Sequence, residues 1–349
     1  MQSTVPYISI IVPCRNEKEY IEVCVRSILS QESPKGGFEV IVADGMSDDG
    51  TREILQRLKK EDPRLRIIDN IGRIVSTGLN SAIQMAQGSV IIRMDAHTKY
   101  AADYICMCLT VLKETGADNV GGPARTMSSG YIQSAICAAY HSSFSVGGAK
   151  FHKRDYEGWV DTVPYGCWPR EVFDRVGLFD EELVRNQDDE FNLRLRRSGG
   201  KIWQSPRIKS WYKPRRSIKG LINQYAQYGY WKVKVIQKHK IPASIRHLVP
   251  AIFVLLFGIL PVGALWWSFW GWTWVGLVFI YALCNFFASL NAAINARENG
   301  WNVLFLLPII FLCYHFGYGW GFLRGFFDFV ILRRKSQTIF SALPRNPSG

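Results

Sequence analysis

Forty-seven consecutive residues without a charged side chain, Leu248–Ile294, constrain this 349-residue chain more than any other feature. A helix needs about 20 apolar residues to cross hydrocarbon, so the block holds two transmembrane helices and a purely soluble fold is excluded. Their division is expected near Ser268–Gly271, where Trp266, Trp267, Trp270, Trp272 and Trp274 cluster as amphipathic rings do at a headgroup boundary. A third apolar stretch runs from Trp301 to about Leu323, interrupted by Pro308, Gly317, Gly319 and Gly321. Its length favours a third crossing, with a re-entrant hairpin as the alternative.

Charge divides the chain in a related way. Residues 1–200 carry 24 basic and 27 acidic side chains, whereas residues 201–246 hold 12 basic side chains and no acid. Within that belt, Ser217–Gln237 mixes Ile218, Leu221, Ile222, Tyr225, Tyr228, Tyr230 and Trp231 with lysines, the pattern of one or two helices lying in a membrane interface. Its direct junction to Leu248 makes anionic lipid the expected partner and argues against nucleic acid. By the positive-inside rule, residues 1–246 are cytosolic and the protein is a multi-pass component of the inner, cytoplasmic membrane. Arg324, Arg333, Arg334 and Lys335 fit that rule poorly if there are three crossings. Ile8–Val12 is too short for a secretory signal, and eight scattered cysteines with no CxxC pair favour reduced thiols. The expected layout is a catalytic domain over 1–213, an interfacial segment over 214–246, a membrane region over 247–332 and a tail over 333–349.

From Tyr7 to about Gly122, short β-branched runs alternate with helical ones, the signature of an α/β fold with a mostly parallel sheet. Strands are expected at Ile8–Val12, Phe38–Ala43, Leu65–Ile68, Val90–Met94 and Ala117–Val120. Crossover helices are expected at Glu19–Ser30, Arg52–Lys60 and Thr77–Ala86. Open sheets of this kind bind ligands beyond the carboxyl ends of their strands. Here those ends read Pro13-Cys14-Arg15-Asn16-Glu17, Asp44-Gly45-Met46-Ser47-Asp48-Asp49 and Asp95-Ala96-His97. Any one of these acids could serve only as a helix cap; three at successive strand ends point to a site. No GxGxxG or GxxxxGK[ST] follows a strand, which counts against hydride transfer and nucleotide hydrolysis. Carboxylate plus imidazole suits Mg²⁺ or Mn²⁺ shared with a diphosphate, whose charge grows as it departs.

Residues 124–187 are expected to form an acceptor-facing loop region. Beyond them, Asn186-Gln187-Asp188-Asp189-Glu190-Phe191 opens a helix with Phe191 and Leu195 inward. Three consecutive acids can complement a helix dipole. They also repel one another, which raises a carboxyl pKa toward the range a general base needs.

These strings, together with Val176-Gly177-Leu178-Phe179-Asp180-Glu181, resemble in order and spacing the family 2 inverting glycosyltransferases of the GT-A fold, over roughly residues 6–240. Val120-Gly121-Gly122-Pro123 and Val160-Asp161-Thr162-Val163-Pro164-Tyr165-Gly166 resemble most the bacterial exopolysaccharide branch typified by succinoglycan-type glucosyltransferases.

The resemblance implies that Pro13, Arg15 and Glu17 line a nucleotide pocket, that Asp44 holds the base or ribose, and that Asp95 lies beside the ribose and diphosphate. It makes Asp95 and His97 the metal ligands, with His97 where the family usually has aspartate, and Asp188 the base. Gln227-Tyr228-Gly229-Tyr230-Trp231 lacks the arginine of the processive synthases' Gln-x-x-Arg-Trp signature, which argues for one sugar per encounter. The implied activity is metal-dependent transfer of a hexose, most simply from a UDP-sugar, onto a lipid-linked saccharide. Transfer to a polyprenyl phosphate and a non-catalytic sugar-nucleotide-binding subunit are the alternatives.

Overall fold

The computed structural model describes residues 7–296, 300–334, 336 and 340; Lys335 and most of the 333–349 tail lie outside the described residues. The first half of the chain runs β1 (Ile8–Cys14), α1 (Ile21–Leu29), β2 (Phe38–Asp44), α2 (Thr51–Glu61), β3 (Leu65–Asp69), α3 (Val75–Met85), β4 (Val90–Arg93), β5 (Thr98–Tyr100), α4 (Tyr104–Thr115) and β6 (Asn119–Gly121). Then come α5 (Tyr131–Tyr140), α6 (Ser143–Val146), β7 (Gly158–Trp159), β8 (Cys167–Pro169), α7 (Glu171–Val176), α8 (Gln187–Arg197), β9 (Ile202–Gln204) and β10 (Ser210–Tyr212). The remainder is helical: α9 (Ile218–His239), α10 (Val249–Gly263), α11 (Ser268–Asn295), α12 (Gly300–Val303) and α13 (Leu307–Phe326). The described residues form two compact units, one from residues up to Arg125 plus Lys150–Lys213, the other from Thr126–Ala149 and the described residues from Pro214 on.

In the first unit, eight strands are ordered β3-β2-β1-β4-β8-β6-β9-β7. β3, β2, β1 and β4 are mutually parallel, and β8 enters antiparallel between β4 and β6. The five expected strands and three crossover helices are present, with ends shifted by a few residues. β1 is apolar apart from Ser9, whose hydroxyl bonds Glu39, because helices cover both sheet faces. Ile8, Ile10 and Val12 pack with α1, α2 and α4, while Ile11 joins Leu79, Ala82, Phe191 and Leu195 of α3 and α8 on the other face. Each fully buried side chain of this size contributes about 1.5–3 kcal/mol. That scaffold fixes where the ends of β1, β2 and β4 emerge. β5 and β10 form a separate two-stranded ribbon just beyond β4.

The region 124–187 is more ordered than its glycines suggested. It contains β7, β8 and α7, and residues 126–149 fold as α5 and α6 within the second unit.

In the second unit, the basic segment forms one 22-residue helix, α9, with Leu221, Tyr230, Trp231 and Lys232 buried. α13 packs along it through glycines spaced by four. Gly317, Gly321 and Gly325 meet Ile222, Ala226 and Tyr230, and a Cβ on Gly321 would stand 1.9 Å from the Ala226 carbonyl oxygen. Small residues let helix backbones approach this closely. Gly321→Val is expected to lower stability by about 1–3 kcal/mol or more, as overpacking does, read as a lower thermal midpoint in detergent.

Two helices are long and apolar enough to cross a membrane, Ile245–Gly263 and Ser268–Asn295. Their connecting turn, residues 264–267, falls a few residues before the expected division. Ile252, Leu255, Leu256 and Ile259 of α10 and Phe279, Ile280, Phe286 and Phe287 of α11 are exposed. The third crossing expected from Trp301–Leu323 does not join them. α13 carries glycines, His315 and Arg324 along its length and buries Ile310, Phe311, Tyr314 and its glycine seam within the unit. Those residues serve close packing against α9.

Candidate functional site

Polar loops emerge side by side at the carboxyl ends of β1 and β2, and they are stitched together. The Asn16 amide donates to Ser47 Oγ at 2.9 Å, Asn16 Nδ2 to Asp48 Oδ1 at 2.9 Å, the Glu17 amide to Thr51 Oγ1 at 2.9 Å and the Lys18 amide to Asp49 Oδ2 at 3.1 Å. Asn16 and Met46 adopt left-handed backbone, with φ of 52° and 58°, a conformation that non-glycine residues rarely hold outside constrained sites. Asp44, fully buried, accepts from Ser47 Oγ at 2.6 Å and Arg52 Nη1 at 3.1 Å, so its carboxylate anchors the β2 loop from beneath. Arg15 leaves the end of β1 with its aliphatic stem against Gly45, and its buried Nη1 has no hydrogen-bond partner among the described residues. An orphan guanidinium nitrogen in a crevice fits an anionic ligand such as a nucleotide phosphate. Pro13 sits within β1, its register partner Ala43 on β2.

At β4 the arrangement turns on a residue that sequence reasoning passed over. Arg93, the one charged residue of its strand, is buried. Its Nε donates to Asp95 Oδ1 at 2.8 Å and its Nη2 to Asp95 Oδ2 at 3.2 Å, while Nη1 donates to Asp188 Oδ1 at the start of α8. Asp95 and Asp188, 93 positions apart in the chain, therefore share one cation. A charge inside an otherwise apolar central strand was the signal available in the sequence.

Burial raises the Asp188 pKa; Arg93 opposes it, the neighbouring Asp95 and Asp189 reinforce it, and the net direction is upward. For Asp188 acting as a general base, the role the family resemblance implies and one that requires the ionised form, the acid limb of the rate profile is expected above the ordinary aspartate value of about 3.9, as measured by initial rates across buffered pH.

Glu190, two positions on, serves a different purpose. Glu190 is fully buried and takes a bidentate pair from Arg194, Nε to Oε1 at 2.7 Å and Nη2 to Oε2 at 2.9 Å. Arg194 also donates to the carbonyls of Val176 and Leu178, each at 2.6 Å. Asn80 closes the same loop, donating to the Phe179 carbonyl at 2.8 Å and accepting from the Phe179 amide at 2.9 Å. The string Gly177–Glu181 is thus held as a frame for the start of α8. Asn192, one helical turn beyond Asp188, bonds Asn119 on β6 and Thr162, fixing α8 from its other side.

The residues fit a divalent cation of the kind that shares a diphosphate. Asp95 and His97 are both partly open to solvent. Glu17 Oε1 lies 3.4 Å from His97 Nδ1, the placement of a carboxylate that orients an imidazole and leaves Nε2 for a metal. Among the described residues no three His, Cys, Asp or Glu side chains gather into a complete protein cage. Mg²⁺ sites built with substrate phosphates use only one or two protein ligands. Pro13, Arg15, Glu17, Asp44, Asp95, His97 and Asp188 all lie at the carboxyl ends of β1, β2 and β4 or at the start of α8. Asp44 stands apart from the Arg93 cluster, bound to its own arginine.

A mostly parallel sheet covered by helices, with acids at successive strand ends, is the GT-A architecture of nucleotide-sugar transferases. Residues 9–162 match the family model Glycosyl transferase family 2. The succinoglycan biosynthesis protein ExoA of Rhizobium meliloti (strain 1021) is 34% identical over 254 residues, covering 72% of this chain and 77% of ExoA. The Methanococcus voltae dolichyl N-acetyl-α-D-glucosaminyl phosphate 3-β-D-2,3-diacetamido-2,3-dideoxy-β-D-glucuronosyltransferase is 28% identical over 328 residues, covering 91% of this chain and 97% of that enzyme. The solved structure of mannosyltransferase PcManGT from Pyrobaculum calidifontis, in complex with GDP-Man and Mn²⁺, shares the fold at a TM-score of 0.58 and 18% identity, over 91% of this chain and 88% of that one. The chain belongs to glycosyl transferase family 2, and its similarity to ExoA is to the exopolysaccharide type of that family.

Proposed function

We propose that this glycosyltransferase moves a hexose from a UDP-sugar onto a lipid-linked saccharide in surface-polysaccharide synthesis, with inversion at the anomeric carbon and with Asp188 as general base. The observation that carries the reading is the sharing of Arg93 by Asp95 and Asp188. It sets the acid expected beside the donor diphosphate within one side chain's reach of the acid expected beside the acceptor. Asp188 accepts the proton of an incoming hydroxyl as that oxygen bonds to the anomeric carbon and the sugar's bond to the diphosphate breaks. An α-linked donor then yields a β-glycoside. Arg15, with its orphan Nη1, and Glu17 receive the nucleotide at the end of β1. Asp95 and His97 would hold Mg²⁺ or Mn²⁺, which when bound offsets charge on the departing diphosphate. The Methanococcus voltae relative acts, by its name, on a dolichyl-phosphate-linked sugar, which supports a lipid-linked acceptor.

The same reading makes the protein membrane-attached, with its catalytic unit on the cytosolic side and anionic lipid beside α9. Two crossings return Arg333 and Arg334 to the side of the basic belt, as the positive-inside rule prefers. The test is a screen of UDP- and GDP-hexoses against membrane-lipid extract, with product read by mass. EDTA is expected to abolish transfer and added Mg²⁺ or Mn²⁺ to restore it; full activity in EDTA removes the metal from the reading.

A further inference from the structure

We infer that Arg93 is a positioning residue that sets the general base against the donor side of the site, an inference that rests on Asp188 being that base. Arg93 cannot drift. It lies in β4 between β1 and β8, its register partner on β1 is Ile11, and its amide donates to the Gly166 carbonyl at 3.1 Å. Burying a guanidinium is costly unless its charge and donors are met. Here two carboxylates meet them, at both edges of one planar group: the Nε and Nη2 edge is filled by Asp95 and Nη1 is given to Asp188.

The geometry has a purpose beyond neutralisation. Asp188 is the second residue of α8, two positions after Asn186, whose φ of 62° is left-handed, and it is partly exposed. Without a fixed donor, its carboxylate could rotate away from an acceptor hydroxyl, and Asp95 would repel it. Arg93 takes one oxygen, Oδ1, and so fixes the plane of the carboxylate. Among the described residues no hydrogen bond engages Oδ2 of Asp188, which leaves that oxygen for the substrate proton. A lysine would offer a point charge and could not bridge both acids in a set plane. Misplacing a reacting group by about 1 Å can cost 10²-fold in rate.

The experiment is a double-mutant cycle on the purified full chain in detergent, using Arg93→Gln, Asp188→Asn and both, with the hexose nucleotide selected by the donor screen and lipid extract as acceptor. Arg93→Gln is expected to lower kcat about 100-fold. The loss in the double variant is expected to fall short of the product of the single losses by about tenfold or more, within the range of coupling for residues in contact. Losses that multiply, or a wild-type kcat in Arg93→Gln, overturn the inference while leaving an impaired Asp188→Asn, and hence the base, intact. Undiminished turnover in Asp188→Asn overturns both. Should Arg93→Gln fail to fold, Arg93→Lys keeps the buried charge and carries the same cycle, with non-multiplying losses expected and multiplying ones decisive against it.

Discussion

Asp188→Asn is expected to lower sugar transfer by about 10²–10⁴-fold, the range that a positioned general base supplies, with donor affinity unchanged by calorimetry. The substitution keeps shape and one acceptor oxygen but cannot take a proton. Its effect on stability is expected to be small: the Asp188 side chain is 38% exposed, and Asn keeps an acceptor oxygen for Arg93 Nη1, so the thermal midpoint at pH 7 is expected to stay near wild type while activity collapses. A variant that loses both together would mark Asp188 as structural.

Arg194→Met should behave in the reverse way. It strips Glu190, with no exposed surface, of its bidentate partner and leaves the Val176 and Leu178 carbonyls without their guanidinium donors. Removing one member of a buried ion pair costs about 3–5 kcal/mol, so denaturant midpoints are expected to drop by the equivalent. The double replacement Glu190→Leu with Arg194→Met removes the buried charge that Arg194 offset and should recover part of the loss. Near-wild-type stability in the single variant would refute the framing role of this pair. Two acids two positions apart on one helix thus predict opposite signatures, chemical for Asp188 and mechanical for Glu190.

What could be read from the sequence depended on whether a residue's role is set locally. The strand and helix runs of residues 8–120 were legible because apolar periodicity reports burial directly: Ile21, Val25 and Ile28 are buried as their spacing implies. The acids at strand ends were legible for the same reason, since topology delivers strand ends to one edge. Roles set by distant partners were not. Glu190 and Asp188 look alike in a run of acids until Arg194 and Arg93 are placed against them. Ser47, Asp49 and Thr51 lie in the run that leads into α2, yet they also tether the β1 loop. Residues 126–149 read as loop because Gly130, Gly147 and Gly148 bracket α5 and α6, whose apolar partners lie in the helical unit. The glycines of α13 suggested a broken crossing, because spacing by four marks a packing seam only once a second helix is known to lie along it.

That seam bears on how the protein survives extraction from lipid. With carbonyl oxygens of α9 set directly over the α-carbons of α13, the groove between them is narrower than an acyl chain and offers a surfactant no entry. Detergent choice should therefore act on α10 and α11, whose phenylalanines and leucines face outward, and the α9–α13 pair should come through solubilisation as a single piece.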